Sequence, residues 1–280
     1  MNSSPSISQT ALKKSLLSEV EKSSKSILMQ DIFNKILTIA KLDTHVIVIG
    51  EIGSGKKRLA QIIHENSSRA KGPFYSFYCV DVNEDEYKEA FREQLHLEEE
   101  HFILKYNAIE KACDGILYLD QFSELPPQLM LSIIHSYIKG SEQLYRHNQE
   151  IKPRLIISMN HESYHKVLSQ PVWKTVLDLI DPVVIMVPPL RERKEDIPVI
   201  IDSFLNEIRG RYNDWKNLDI SAQALRECFN YNWPGNIRQL KNALLQGAIL
   251  SYGETIESHH LPFSMSWKLP YEFEGNEFLS

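Results

Sequence analysis

The chain has 280 residues, 42% of them hydrophobic, with 31 Lys and Arg against 37 Asp and Glu for a net charge of −6. That length exceeds one typical domain and suits a main domain plus a smaller one, and the charge balance gives no support for broad adhesion to nucleic acid or membrane. No apolar run approaches the ~18 residues needed to span a bilayer, and Cys79, Cys113 and Cys228 are too few and too scattered for a disulfide framework, so a cytoplasmic protein with reduced thiols is expected.

Residues 1–25 read as a polar, flexible leader without the apolar core of a secretion signal. Leu28, Ile32, Phe33, Ile36, Leu37 and Ala40 then recur at three and four residues and predict an amphipathic helix. Val46 to Ile49 is a β-branched run suited to the middle of a parallel sheet covered on both faces. The loop that follows, GEIGSGKK, carries Gly50, Gly53, Ser54, Gly55, Lys56 and Lys57. Its glycines let successive N–H groups turn inward around an anion, and Lys56 supplies a cation. Leu59, Ile62 and Ile63 put a helix directly behind, with its positive end on the same anion. The pattern G-x-x-x-x-G-K-[ST] ends here in Lys57, without the hydroxyl that sits on Mg²⁺. Phosphate binding is the reading that strand, loop and helix support together.

Four further apolar runs, Phe74 to Val80, Ile116 to Leu119, Leu155 to Ile157 and Val183 to Val187, alternate with helical segments. Alternation of this kind predicts a parallel sheet with helices on both faces. The second run leads into Asp120, placed to hold Mg²⁺, and Gln121, where a carboxylate for the attacking water is expected. An amide nearly matches a carboxylate in shape but cannot take a proton, so hydrolysis should suffer. The third run leads to Asn160, placed to hydrogen-bond a γ-phosphate or water. Beyond Pro189 only helical patterns are legible, over Ile197 to Ile249, and Trp233-Pro-Gly-Asn-Ile-Arg238 reads as a turn leading into a helix that carries Arg238.

Several strings now point to one family. GEIGSGKK is similar to GE-x-G-x-GKE, and His64, Ser67, Arg69, Gly72, Pro73 and Phe74 follow H-x-x-S-x-R-x-x-GPF. GILYLDQF follows GTLFLDEI, while PPLRERKEDIP and WPGNIRQL are close to signature strings. The chain resembles the AAA+ ATPase domain of bacterial sigma-54 activators, the enhancer-binding proteins, from about Leu28 to Pro262. The resemblance implies an α/β fold, a five-stranded parallel AAA+ P-loop sheet sandwiched by helices over residues 26–190, then a small all-helical lid over 191–262 and a tail, 263–280, of unread role. It implies ATP or ADP with Mg²⁺ as ligands. Gly53, Gly55 and Lys56 become loop residues, Asp120 the Mg²⁺ acid, Asn160 the first sensor and Arg238 the second.

The departures define the functional expectation. Lys57 stands where members carry Glu, and Gln121 where they carry the catalytic Glu. The stretch VWKTVLDLID offers only Lys174 where members present arginines to a neighbouring subunit. EQLHLEEEHF, Glu93 to Phe102, has no glycine and an acidic run where members grip the sigma factor with a GAFTGA loop. The expected protein is a degenerate, ATP-binding module, slow or inactive in hydrolysis, that acts as a nucleotide-gated regulator in bacterial transcription or signalling. Its partner would be a transcription or signalling protein or a related AAA+ protein, with homo-oligomers allowed and no direct DNA or membrane binding. One alternative is an active sigma-54 remodeller in which Lys174 or Arg191 replaces the trans arginines and Glu51 the base. A second is a nucleotide-free protein scaffold.

Overall fold

The computed structural model describes residues 24–80, 94–98, 101–105, 107–143, 145–146, 149–150 and 152–263. Most of the leader and of the tail therefore lies outside the described residues. The chain divides into two compact units, 27–189 and 190–263, the latter together with 24–26.

The first unit opens with α1 (Ile27–Ala40) and β1 (Val46–Ile49), followed by α2 (Lys56–Glu65) and β2 (Phe74–Tyr78). Then come a hairpin of β3 (Gln94–Glu98) and β4 (His101–Lys105), α3 (Asn107–Lys111), β5 (Ile116–Asp120) and α4 (Pro127–Gln143). Two-residue strands β6 (Tyr145–Arg146) and β7 (Gln149–Glu150) precede β8 (Arg154–Met159), α5 (His161–Leu168), α6 (Pro171–Ile180) and β9 (Val183–Met186). Five strands form one sheet in the order β2-β5-β8-β1-β9, and every pairing is parallel. Ile47, Ile49, Leu117, Leu119, Leu155 and Ile157 face a core shared with α3, α4 and α6. Helix α2 lies against β1, β5 and β8 and also touches α1. All residues of β1 and β8 are buried, the condition that a continuous apolar run in a parallel sheet requires.

Close approach accounts for two glycines. A Cβ on Gly72 would stand 2.2 Å from Asp114 O, and one on Gly115 would stand 2.0 Å from Pro73 O. The chain leading into β2 therefore lies directly on the chain leading into β5. The neighbouring motif residues are scaffold as well: His64 Nε2 donates to Gly72 O at 3.0 Å, and Arg69 forms a two-pronged pair with Asp43 at 2.6 and 2.7 Å.

His45, just before β1, accepts a hydrogen bond from Leu155 N on Nδ1 at 3.2 Å, and burial pushes its pKa down to about 4. The unfolded chain takes up this proton near pH 6.5 and the fold refuses it until far lower. Stability contributed by neutral His45 is therefore complete above pH 6.5 and declines as pH falls toward 4. The expected loss is about 2–3 kcal/mol. Urea titrations from pH 7 to 4.5 should give this decline in the natural chain and a flatter profile in His45→Asn, which keeps an acceptor but no ionisable ring.

Two departures from the sequence reading stand out. Residues 93–102 are expected as an acidic loop, but the described residues 94–98 pair antiparallel with 101–105, Leu95 opposite Leu104 and Leu97 opposite Phe102. Apolar residues at period two, matched across the ladder, favour strand pairing over an open loop. The second unit is also not purely helical. Beside α7 (Ile197–Arg211), α8 (Ala222–Asn230) and α9 (Asn236–Leu250), β10 (Asp219–Ile220), which precedes α8, pairs in parallel with β11 (Thr255–Ile256), which follows α9. Ile256 is fully buried there and covers Gly247 of α9.

Candidate functional site

Adjacent parallel strands β5, β8 and β1 bring Asp120, Asn160 and Gly50 to the same carboxyl edge of the sheet. In an open α/β sheet this edge is where ligands sit. Gly50 N continues the ladder to Met159 O at 3.1 Å. A Cβ on Gly50 would meet Ser54 Oγ at 2.9 Å and Val187 O at 3.0 Å, so the loop has no room for a side chain at its start. Gly53 and Gly55 adopt φ of 76° and 103°, the left-handed conformations that turn the loop back into α2. Ser54 is buried within the turn.

Lys56 is 7% exposed, and its ammonium donates to Gly50 O at 2.8 Å and Glu51 O at 3.0 Å. The loop's own carbonyls thus hold the cation at the N-terminus of α2. Left-handed glycines, a helix N-terminus and a buried ammonium together form a donor set that fits a polyphosphate. Lys57 is exposed on the first turn and places a second positive charge where a metal-binding hydroxyl would stand.

Asp120 ends β5. Its Oδ1 accepts from Ser158 Oγ at 2.5 Å and from Tyr118 OH at 3.0 Å. Burial, then the Asp120 charge, pushes the Tyr118 phenol and the Cys79 thiol well above their usual ranges, so both remain neutral. The Asp120 carboxylate is an oxygen donor of Mg²⁺-ligating type at the end of β5. Gln121 takes a left-handed turn with φ 56° and is 9% exposed. Its backbone N–H donates to Ser158 Oγ at 3.0 Å and its Nε2 to Tyr78 OH at 3.1 Å.

Asn160 is engaged at both ends. Its Oδ1 accepts from Ser163 N at 2.6 Å and caps α5, and its Nδ2 donates to Glu124 Oε1 at 2.9 Å. The sequence reading missed Ser158, Tyr78 and Glu124. Ser158 alone carried a signal, as a hydroxyl inside an otherwise apolar strand.

Arg238 belongs to the second unit, where it is exposed near the start of α9. The rest of its motif is structural. Trp233 is fully buried and donates from Nε1 to Cys228 O at 2.7 Å, while Asn236 Oδ1 accepts from Leu190 N at 2.7 Å. Lys174 on α6 and Arg191 are likewise exposed.

Residues 22–176 match the protein-family model described as the sigma-54 interaction domain. The chain belongs to that family. Residues 191–276 match the AAA+ ATPase lid domain. Among relatives, the transcriptional regulatory protein ZraR of Salmonella typhimurium is 29% identical over 248 residues, 85% of this chain and 54% of ZraR. The regulatory protein AtoC of Escherichia coli is 30% identical over 237 residues, 84% of this chain and 51% of AtoC. The chain thus spans about half the length of the curated relatives it matches. A crystal structure of NtrX from Brucella abortus in complex with ATP is 26% identical with a TM-score of 0.71, covering 91% of this chain and 60% of that one. An ADP complex of the same protein gives a TM-score of 0.71 at 25% identity, covering 94% and 61%. The five-stranded parallel sheet with its helices and the helical lid are therefore the AAA+ fold of this family. Among the described residues, no helix is long and apolar enough to cross a membrane.

Proposed function

We propose that this sigma-54 interaction domain binds ATP or ADP and hydrolyses it slowly or not at all, acting as a nucleotide-gated regulator in bacterial transcription or signalling. Gly50, Gly53, Ser54, Gly55, Lys56 and Lys57 would hold the phosphates, Asn160 and Arg238 would sense them, and Asp120 would hold Mg²⁺. Bound nucleotide would supply a phosphate charge for which the Lys56 ammonium, now held by Gly50 O and Glu51 O, would be the partner. The retained loop geometry and the ATP and ADP complexes of NtrX support the binding half of this reading.

The observation that carries the catalytic half is Gln121. Its amide stands next to Asp120, donates to Tyr78 and can accept no proton from water. The partner would be a transcription or signalling protein or a related AAA+ protein, with a homo-oligomer also allowed. Calorimetric titration with ATP tests the binding half. The natural chain should bind, and Lys56→Ala should weaken binding by about 100-fold or more, as expected for loss of a charge-assisted, partly buried phosphate contact. Equal affinity in the two proteins would refute it. The family match itself favours a second reading, a working sigma-54 remodeller, which requires ATP-dependent open-complex formation by the natural chain.

A further inference from the structure

Helix α5 opens with His161-Glu162-Ser163-Tyr164-His165, and neither histidine has a part in the nucleotide site described above. Residues four apart lie on one helical face, one turn above the other. The two imidazole rings accordingly stand 4.8 Å apart between centroids, inclined at 61°, on an exposed surface.

We propose that His161 and His165 form a two-imidazole binding site for a divalent transition ion of the Zn²⁺, Ni²⁺ or Cu²⁺ class. Imidazole suits these ions, and a helical His-x-x-x-His pair offers two ring nitrogens from successive turns to one ion. In hydrolytic zinc sites with this spacing, the glutamate after the first histidine serves as the base. Here Glu162 is committed to Lys166, whose Nζ lies 2.7 Å from Glu162 Oε1. Among the described residues, no group of three or more His, Cys, Asp and Glu side chains comes together. The site is thus a two-point chelate completed by water. His259 and His260 are closer, at 4.0 Å, but they are sequence neighbours and His260 Nδ1 already accepts from Glu257 N at 3.0 Å. An ion on His161 and His165 would fasten the first turn of the helix that Asn160 caps.

The test uses the full chain, free of nucleotide, with Ni²⁺ or Zn²⁺ as the probe in thermal unfolding and calorimetry. An ion that prefers the folded chain must raise its unfolding temperature. The natural protein should show saturable one-to-one binding and a rising Tm, and His161→Ala and His165→Ala should each weaken affinity tenfold or more. His259→Ala should leave the response intact. Both α5 histidines are exposed, so the variants should keep the natural circular-dichroism spectrum. As a second readout, Ni²⁺ should broaden the ring-proton signals of His161 and His165 before those of other histidines. Affinity unchanged in both single variants, or broadening centred on His259 and His260, overturns the proposal.

Discussion

Changing Gln121 to Glu is expected to raise ATP turnover by roughly two to four orders of magnitude, the usual contribution of a positioned general base. The substitution is nearly isosteric, and the site around it is already shaped: Ser158 Oγ holds the Gln121 backbone and Tyr78 OH faces the side chain. A glutamate at this position would accept a hydrogen bond from Tyr78 OH, so the hydroxyl only reverses its role. The new charge would stand beside Asp120, whose Oδ1 already accepts two hydroxyl donors. A rise confirms that the lost base limits hydrolysis. A rate that stays flat at full ATP occupancy assigns the limit to the arginines missing from Val172 to Asp181, since a trans arginine contributes about 10³ to 10⁵ in related transfers.

The largest expected loss of stability comes from Arg154. This side chain is 1% exposed at the start of β8, where Nε donates to Thr44 O at 2.8 Å and the two terminal nitrogens donate to Ile39 O at 3.0 Å and Ala40 O at 3.4 Å. Its planar fork therefore closes the carboxyl end of α1 and fixes the turn into β1. Burial alone would press the guanidinium toward neutrality, and nearby Asp43 opposes that. Arg154→Ala removes the guanidinium from three carbonyls, of which Ile39 O keeps a donor in Leu42 N at 3.0 Å, and it opens a cavity, a loss on the order of 3–5 kcal/mol. Arg154→Lys should fall between, because an ammonium keeps the charge without the fork. Urea unfolding checks both, and a loss below about 1 kcal/mol for the alanine variant would contradict the capping role.

Legibility in the sequence followed the range of each interaction. The five strands were readable because each is a short run dominated by apolar or aromatic residues between helical segments, and the phosphate loop because its glycines and lysine lie within seven residues. Ser158, Tyr78 and Glu124 were not readable as site residues, since their partners lie 37, 43 and 36 positions away and meet only when strands align. Asn160 was placed at the right edge, yet its commitment to Ser163 and Glu124 depends on the helix that follows. The pairing of 94–98 with 101–105 was not legible because the period-two signal of Leu95 and Leu97 is broken by the acidic run before Phe102 and Leu104 resume it. The β10–β11 pair was too short to leave a pattern.

Holding nucleotide and consuming it are separate capacities of this domain under the proposed function. Its most direct test is steady-state phosphate release by the natural chain at ATP concentrations that calorimetry shows to be saturating, across protein concentrations that span self-assembly, beside Gln121→Glu. Full occupancy is expected, with turnover at least about 100-fold below the variant. Turnover by the natural chain as fast as in working oligomeric AAA+ ATPases would contradict it, whereas equally slow rates in both proteins would place the loss at the missing arginines.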